Sequence, residues 1–278
     1  LSLVFEKVFM LVLEQAAKPM GGFLVDEGAN KIAGKGADEV AGGNAAAADD
    51  AGTAVCPHPV PIALEAHGLC KSFGDAEVLR NVNVTFEAGG VYCLMGPSGM
   101  GKTTLMRILA GLEPATAGET TAAQARACGV SMMFQEDRLC ESLTPVQNAA
   151  LVCSRKPAAS DMQSLLEQVL PADCMSRSAS QLSGGMRRRV ALVRAVAFDG
   201  AAIVLDEPFT GLDKDTKRCV ARFLMEHRAG RTLVVSTHSD EDAELLGARI
   251  VRLQDIAEFD EDVLRALAER ERREREKD

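Results

Sequence analysis

The sequence predicts an α/β fold: a P-loop core with a mixed sheet, antiparallel strands on its N-terminal side and a helical insertion. Three observations predict it. The first is an apolar strand, Val91-Tyr92-Cys93-Leu94-Met95, running into Gly96-Pro97-Ser98-Gly99-Met100-Gly101-Lys102-Thr103-Thr104. Leu105, Ile108, Leu109 and Leu112 then recur at helical spacing. The second is a later apolar strand, Ala201-Ala202-Ile203-Val204-Leu205, ending in Asp206-Glu207. The third lies between them. Residues 136–182 read as helices at Val146 to Val152, Asp161 to Leu170 and Ala172 to Ser176, punctuated by Pro145, Pro157 and Pro171.

The chain has 278 residues and a net charge of −9, with 47% apolar and 26% charged residues. That is a globular composition with room for a large core. The acidic balance argues against a nucleic-acid partner, since Arg187-Arg188-Arg189 is the one basic run of note. The eight cysteines form no C-x-x-C pair, which fits a reducing compartment and speaks against a structural zinc. Cys93, Cys128 and Cys153 stand among apolar neighbours and read as small core residues. No run of eighteen apolar residues is present to span a membrane.

The first residue is Leu1, which points to a fragment, a processed product or an unusual start codon. Residues 1–20 read as an apolar amphipathic segment with Leu1, Val4, Phe5, Val8, Leu11 and Val12 along one face. An alternative is the cytoplasmic end of a membrane helix fused ahead of the rest. Residues 21–61 are rich in Gly and Ala and read as a flexible linker, because such a stretch buries too little to offset its ordering entropy.

Ile62 to His67 reads as the first strand and Val78 to Phe86 as the second, with a turn at Phe73-Gly74-Asp75. Phe73 is either a hairpin packing residue or a π face for a base. The glycine-rich stretch fits G-x-x-x-x-G-K-[ST]. Its glycines permit the backbone to curl with N–H groups inward, forming an anion nest at a helix N-terminus. Lys102 can reach β- and γ-phosphates there, and the Thr103 hydroxyl can ligate Mg²⁺. Gly118 to Ala127 reads as a short connection, and Val130 to Phe134 as a strand ending at Gln135, a possible Mg²⁺ or water ligand.

Leu182-Ser183-Gly184-Gly185 precedes a helix carrying Val190, Leu192, Val193 and Val196. A hydroxyl, free N–H groups and the positive helix end make this a second anion site or an ordinary N-cap. Asp206 at a strand end is the expected Mg²⁺ partner of a P-loop, and Glu207 can orient or deprotonate the attacking water. Asp213 caps a helix from Lys214 to His227. His238 follows a strand over Thr232 to Ser236, at the end where open α/β sheets bind ligands. Asp240 to Leu246 reads as a helix and Ile250 to Leu253 as a closing strand. Residues 256–278 read as a charged helix with i,i+4 pairs, docked through Val263, Leu264 and Leu267.

Taken in order, these residues resemble the ATP-binding cassette (ABC) family over Ile62 to Leu253, with the cassette placed at 62–255 and its helical subdomain at about 136–185. The resembling motifs are Walker A at Gly96 to Thr103, the Q-loop at Gln135 and the signature Leu182-Ser183-Gly184-Gly185. Walker B follows at Ile203 to Asp206 with Glu207, then the D-loop at Asp213 and the H-loop at His238. The resemblance implies ATP and Mg²⁺ as cofactors, with Phe73 stacking on adenine. Glu207 is then the catalytic base, His238 the γ-phosphate sensor, and Thr103, Gln135 and Asp206 the Mg²⁺ ligands.

It further implies a head-to-tail dimer in which Ser183, Gly184 and Gly185 of one subunit cap the γ-phosphate held by Lys102 of the other. Transmembrane permease subunits, an extracytoplasmic solute-binding protein and a place at the cytoplasmic face of the membrane follow from the same likeness. Phe134-Gln135-Glu136-Asp137-Arg138-Leu139, with Leu143-Thr144 and Asn148, is similar to the nitrate, sulfonate and taurine importer group. Met186, Ser239 and Asp242 depart from the family's usual Gln, Asp and Glu. The segment from Walker A to the Q-loop is short, which is expected to thin the sheet there. The alternative function is a non-transport cassette acting on ribosomes or DNA.

Overall fold

Two long strands, β1 (Leu64–Phe73) and β2 (Ala76–Phe86), pair antiparallel from Leu64 opposite Phe86 to Phe73 opposite Ala76. Gly74, at φ +59°, turns the chain between them. Inward positions Leu64, Ala66, Leu69, Leu79, Val82 and Phe86 are almost fully buried. In this computed structural model the described residues are 60–154 and 157–260, together with Asp262, Arg265, Ala266 and Glu269. The expected segment 1–20 and all but the last two residues of the linker 21–61 lie outside them.

After the hairpin come β3 (Val91–Met95), α1 (Lys102–Leu109), β4 (Ala117–Thr120), α2 (Ala122–Cys128) and β5 (Val130–Met133). The strand types segregate into two sheets. One is antiparallel, in the order β2-β1-β4. The other is parallel, in the order β5-β6-β7-β3-β8, with β6 (Ala202–Asp206), β7 (Thr232–Ser236) and β8 (Arg249–Arg252). Every residue of β6 and β7 is buried, as expected of central parallel strands covered on both faces. Cys93 is fully buried in β3, and burial pushes its thiol up to about 12, so it is a core residue. Cys128 and Cys153 are half-buried.

The insertion is helical. It contains α3 (Pro145–Ala150), α4 (Ala159–Glu167) and 3-10 turns at Ala172–Cys174 and Ala179–Gln181. Helix α3 starts with a complete capping box, Thr144 with Gln147, and Pro145 in the first turn. Then α5 (Gly184–Ala197) leads back to β6, and α6 (Lys214–His227) leads to β7. Helices α7 (Asp240–Leu246) and α8 (Leu253–Ile256) flank β8. Two apolar clusters hold this together. One lies between the antiparallel sheet, α1 and α2, and the other joins α3 to α7 with the facing side of the parallel sheet.

The sequence reading needs correction in three places. Gly118 to Ala127 is not a bare connection but carries most of β4 and α2. Their Ala, Thr and Gly residues offer no apolar period, and β4 forms only by pairing with β1. The hairpin strands run further than expected, past register shifts at Ala66/Leu69 and Lys71/Ser72, where polar residues interrupt the alternation. Chain beyond Ile256 is not helical at once. Glu258 to Asp260 instead lies along β2, where the Glu258 N–H donates to Arg80 O at 2.9 Å and Arg80 bonds Asp260 at 3.0 Å. Asp262, Arg265, Ala266 and Glu269 are helical, and the expected docking positions Val263, Leu264 and Leu267 lie outside the described residues.

Candidate functional site

The C-terminal ends of β3, β6 and β7 converge on the turn between β3 and α1. Gly96, Gly99 and Gly101 there have φ of +152°, +86° and +103°. Gly101 is the cap of α1, and a Cβ on it would lie 2.8 Å from Leu79 Cδ2 and 3.2 Å from Val78 O. Only glycine combines that conformation with that approach. The helix carries no acidic residue of its own in its first turn, and its positive end faces the loop. Lys102 is buried, and its ammonium donates to Gly96 O at 2.5 Å and Pro97 O at 3.0 Å. Ser98 and Gly99 are exposed, Met100 is buried, and Pro97, Thr103 and Thr104 are half-buried.

The Thr103 hydroxyl donates to Asp206 Oδ2 at 2.6 Å, and Ser236 Oγ donates to Asp206 Oδ1 at 2.5 Å. Both oxygens of this buried carboxylate are therefore engaged, which lets the charge sit 2% exposed. Glu207, the next residue, has φ +51°. A non-glycine residue held there costs about 1–3 kcal/mol, and such strain gathers at functional sites. Its N–H donates to Ser236 O and Oγ at 3.2 and 2.9 Å. Its carbonyl accepts from both Nε and an Nη of Arg188. The half-buried side chain accepts from the Thr210 hydroxyl at 3.3 Å.

Gln135 is exposed two residues past β5, and its carbonyl accepts from Arg188 at 2.7 Å. His238 is exposed two residues past β7. It lines a cavity of about 230 Å³ with Met95, Gly96, Pro97, Asp240, Arg252 and Gln254. Behind it, the Thr237 hydroxyl donates to buried Asp242 at 2.6 Å, and Lys217 on α6 donates to the same carboxylate at 2.8 Å.

The glycine-rich loop, Asp206, Glu207 and His238 thus gather at the C-terminal end of the parallel sheet. The other expected residues sit elsewhere. Ser183 caps α5, accepting from Met186 N at 3.3 Å, and Gly185 lies against Leu212, beside Asp213. Asp213 caps α6, and its carboxyl titrates below the usual range because the Thr216 N–H binds it. Phe73 is half-exposed at the hairpin end, with the Lys71 ammonium 4.5 Å from its ring centroid. None of these residues lines the cavity at Gly96.

Arg188 and Ser236 escaped the sequence reading. Arg188 lies in the Arg187-Arg188-Arg189 run, whose consecutive residues point in different directions around the helix, so the run does not show which arginine turns inward. Its neighbours are used similarly. Arg187 makes a two-pronged pair with Glu141 at 2.7 and 2.8 Å, which holds the Glu141 carboxyl below its ordinary value. Arg194 donates to the carbonyls of Arg138 and Asp137 at 2.7 and 2.9 Å. No sequence signal singled out Ser236.

The ABC transporter family model matches residues 79–210. Among curated proteins, the sulfate/thiosulfate import ATP-binding protein CysA 2 of Rhizobium meliloti is 36% identical over 199 residues, 65% of this chain and 54% of its own length. The corresponding Escherichia coli K12 protein is 35% identical, over 68% of this chain and 57% of its own. The chain therefore spans little more than half the length of these relatives. The dimeric structure of MJ0796, a bacterial ABC transporter cassette, is 27% identical with a TM-score of 0.61, covering 68% of this chain and 94% of that one. A post-hydrolysis dimer of the same cassette bound to ADP and Pi gives 28% and 0.62, covering 69% and 94%. The fold is that of ABC ATPase cassettes. These two curated relatives are named for sulfate and thiosulfate import rather than for the expected nitrate, sulfonate and taurine group.

Proposed function

We propose, from the match of residues 79–210 to the ABC transporter family and from the site just described, that this chain hydrolyses ATP to power an importer of a small anion. The observation that carries the reading is the Thr103 hydroxyl bonded at 2.6 Å to Asp206. It brings the phosphate loop and the acidic strand end to one point, the arrangement phosphoryl transfer requires. The loop's N–H groups and the N-terminus of α1 take the β- and γ-phosphates. Lys102, turned from Gly96 O and Pro97 O, adds its charge. Glu207 accepts a proton from a water whose oxygen attacks the γ-phosphorus, as the bond to the ADP oxygen breaks. His238, which lines the same cavity as Gly96, would contact the γ-phosphate, and the exposed Phe73 ring would stack on adenine.

The site's donors suit Mg²⁺. A hydroxyl, a carboxylate and the Gln135 amide are hard oxygen ligands, and this ion is commonly held by few protein groups plus substrate phosphates. Thr103, Asp206 and Gln135 would hold it, and it would neutralise charge on the phosphates. Ser183, Gly184 and Gly185 would act on the nucleotide of a second copy. The cassette is proposed to lie at 62–255 and to work with permease subunits at the cytoplasmic membrane face. The relatives' names favour sulfate-like anions as the solute, and an extracytoplasmic solute-binding protein is proposed as a further partner.

Steady-state phosphate release by the purified chain tests the ATPase. Glu207→Gln is expected to lower turnover by about 10²- to 10⁴-fold while ATP binding persists, and Lys102→Ala is expected to lose binding. Equal turnover in parent and Glu207→Gln would remove the base assignment. Co-purification from native membranes in mild detergent should bring down a polytopic membrane protein. Recovery with ribosomal or DNA-bound proteins alone would remove the transport reading.

A further inference from the structure

We propose that Arg188 is the positioning residue for Glu207, fixing the strained peptide from which the proposed base projects. The inference rests on the ATPase reading above. Arg188 is 9% exposed and its guanidinium is spread over three carbonyls, all belonging to residues of the site. Nε donates to Glu207 O at 3.0 Å, and one Nη donates to both Glu207 O and Asp206 O, the latter at 3.0 Å. The other Nη donates to Gln135 O at 2.7 Å and approaches Asp137 Oδ1 at 3.4 Å. The fork thus ties the strand end carrying the acidic pair to the segment that follows β5.

Glu207 has φ +51°, a conformation that relaxes unless its surroundings hold it. Ser236 holds its N–H side and Arg188 holds its carbonyl side. With the carbonyl released, the peptide can turn and carry the carboxylate away from the phosphate loop. A second consequence follows from sequence spacing. Arg188 lies three residues after Gly185 in the same helix, on one rigid turn with the signature. A ligand pressing on Ser183 to Gly185 therefore moves the arm that sets the base. Lysine cannot substitute, because a single ammonium lacks the planar fork that reaches several carbonyls at fixed angles.

The test is a double-substitution cycle on the full chain, reading kcat and KM for ATP together with the affinity for a fluorescent ATP analogue. Arg188→Ala is expected to lower kcat at least tenfold, with KM and analogue affinity within threefold of the parent. In a Glu207→Gln background the same change is expected to alter the residual turnover less than twofold, since an effect exerted through the base vanishes when the base is gone. Arg188→Lys should remain at least fivefold impaired. A kcat within twofold of the parent in Arg188→Ala would overturn the proposal. So would equal losses in both backgrounds, or a parallel loss of ATP affinity, either of which marks a merely structural role. If Arg188→Ala shows no cooperative thermal unfolding, Arg188→Gln, which keeps two N–H donors, takes its place in the same cycle. A parent that binds ATP without hydrolysing it removes the ATPase reading and this inference together. A hydrolysing parent with an indifferent Arg188 removes this inference alone.

Discussion

Gly101 shows how one residue type can decide a site. Its φ of +103° is open to glycine, and a Cβ would press on Leu79 at 2.8 Å and the Val78 carbonyl at 3.2 Å. The leucine end can give, but the β2 backbone cannot without dragging the hairpin. Gly101→Ala is expected to cost about 1–3 kcal/mol in urea unfolding, from backbone strain with crowding added. It should weaken ATP binding at least tenfold, because α1 can no longer start where the loop needs it. Unchanged ATP affinity in a folded Gly101→Ala would show that the loop tolerates another path. Gly99 gives the contrast, with φ +86° and nothing within 4 Å of an added Cβ, so an alanine there meets strain without collision.

Between elements, the buried cluster of Lys217, Asp242 and Thr237 does for the His238 loop what no local sequence signal revealed. Lys217 belongs to α6, Asp242 to α7, and Thr237 immediately precedes His238. The Asp242 side chain is 4% exposed and that of Lys217 19%, so the pair is screened little by water. Removing the cation leaves a buried carboxylate with one hydroxyl donor. Lys217→Ala is therefore expected to lose about 2 kcal/mol in denaturant unfolding, and hydrogen exchange at residues 237–239 should accelerate. An unfolding midpoint equal to the parent's would mean that water replaces the lysine at no cost. Phosphate chemistry was legible in the chain because it needs contiguous residues: three glycines, a lysine and a hydroxyl at one loop, an acidic pair at one strand end. Arg188, Ser236 and Lys217 were not legible, because their partners lie 18 to 53 residues away and only the fold brings them together. The same holds for β4, whose four residues carry no pattern and exist as a strand because β1 is beside them.

At the scale of the whole molecule, the position of the signature sets the expected assembly. Ser183, Gly184 and Gly185 open α5 at the surface, where they are exposed or half-exposed, and they do not line the cavity beside Gly96. One chain therefore presents the glycine-rich loop at one place and the helix start proposed as a second anion site at another. A second copy, related by a two-fold axis, can bring each signature onto the other's loop and close two sites at once, as isologous symmetry demands. Each copy carries a net charge of −9, so association without a bridging ligand is opposed by self-repulsion. ATP can reverse that only by touching both surfaces, since a ligand shifts an equilibrium by its differential affinity for the two states. With Glu207→Gln, ATP should persist and the mass measured by light scattering should double on its addition. Adding Lys102→Ala should hold the chain at the monomer mass with or without ATP, because the nucleotide is no longer held. Replacing Ser183 by Arg, whose bulk blocks the facing surface, should do the same while leaving ATP affinity intact. That last separation is the decisive one: a Ser183→Arg chain that binds ATP normally and still doubles in mass would place the dimer contact somewhere other than the signature.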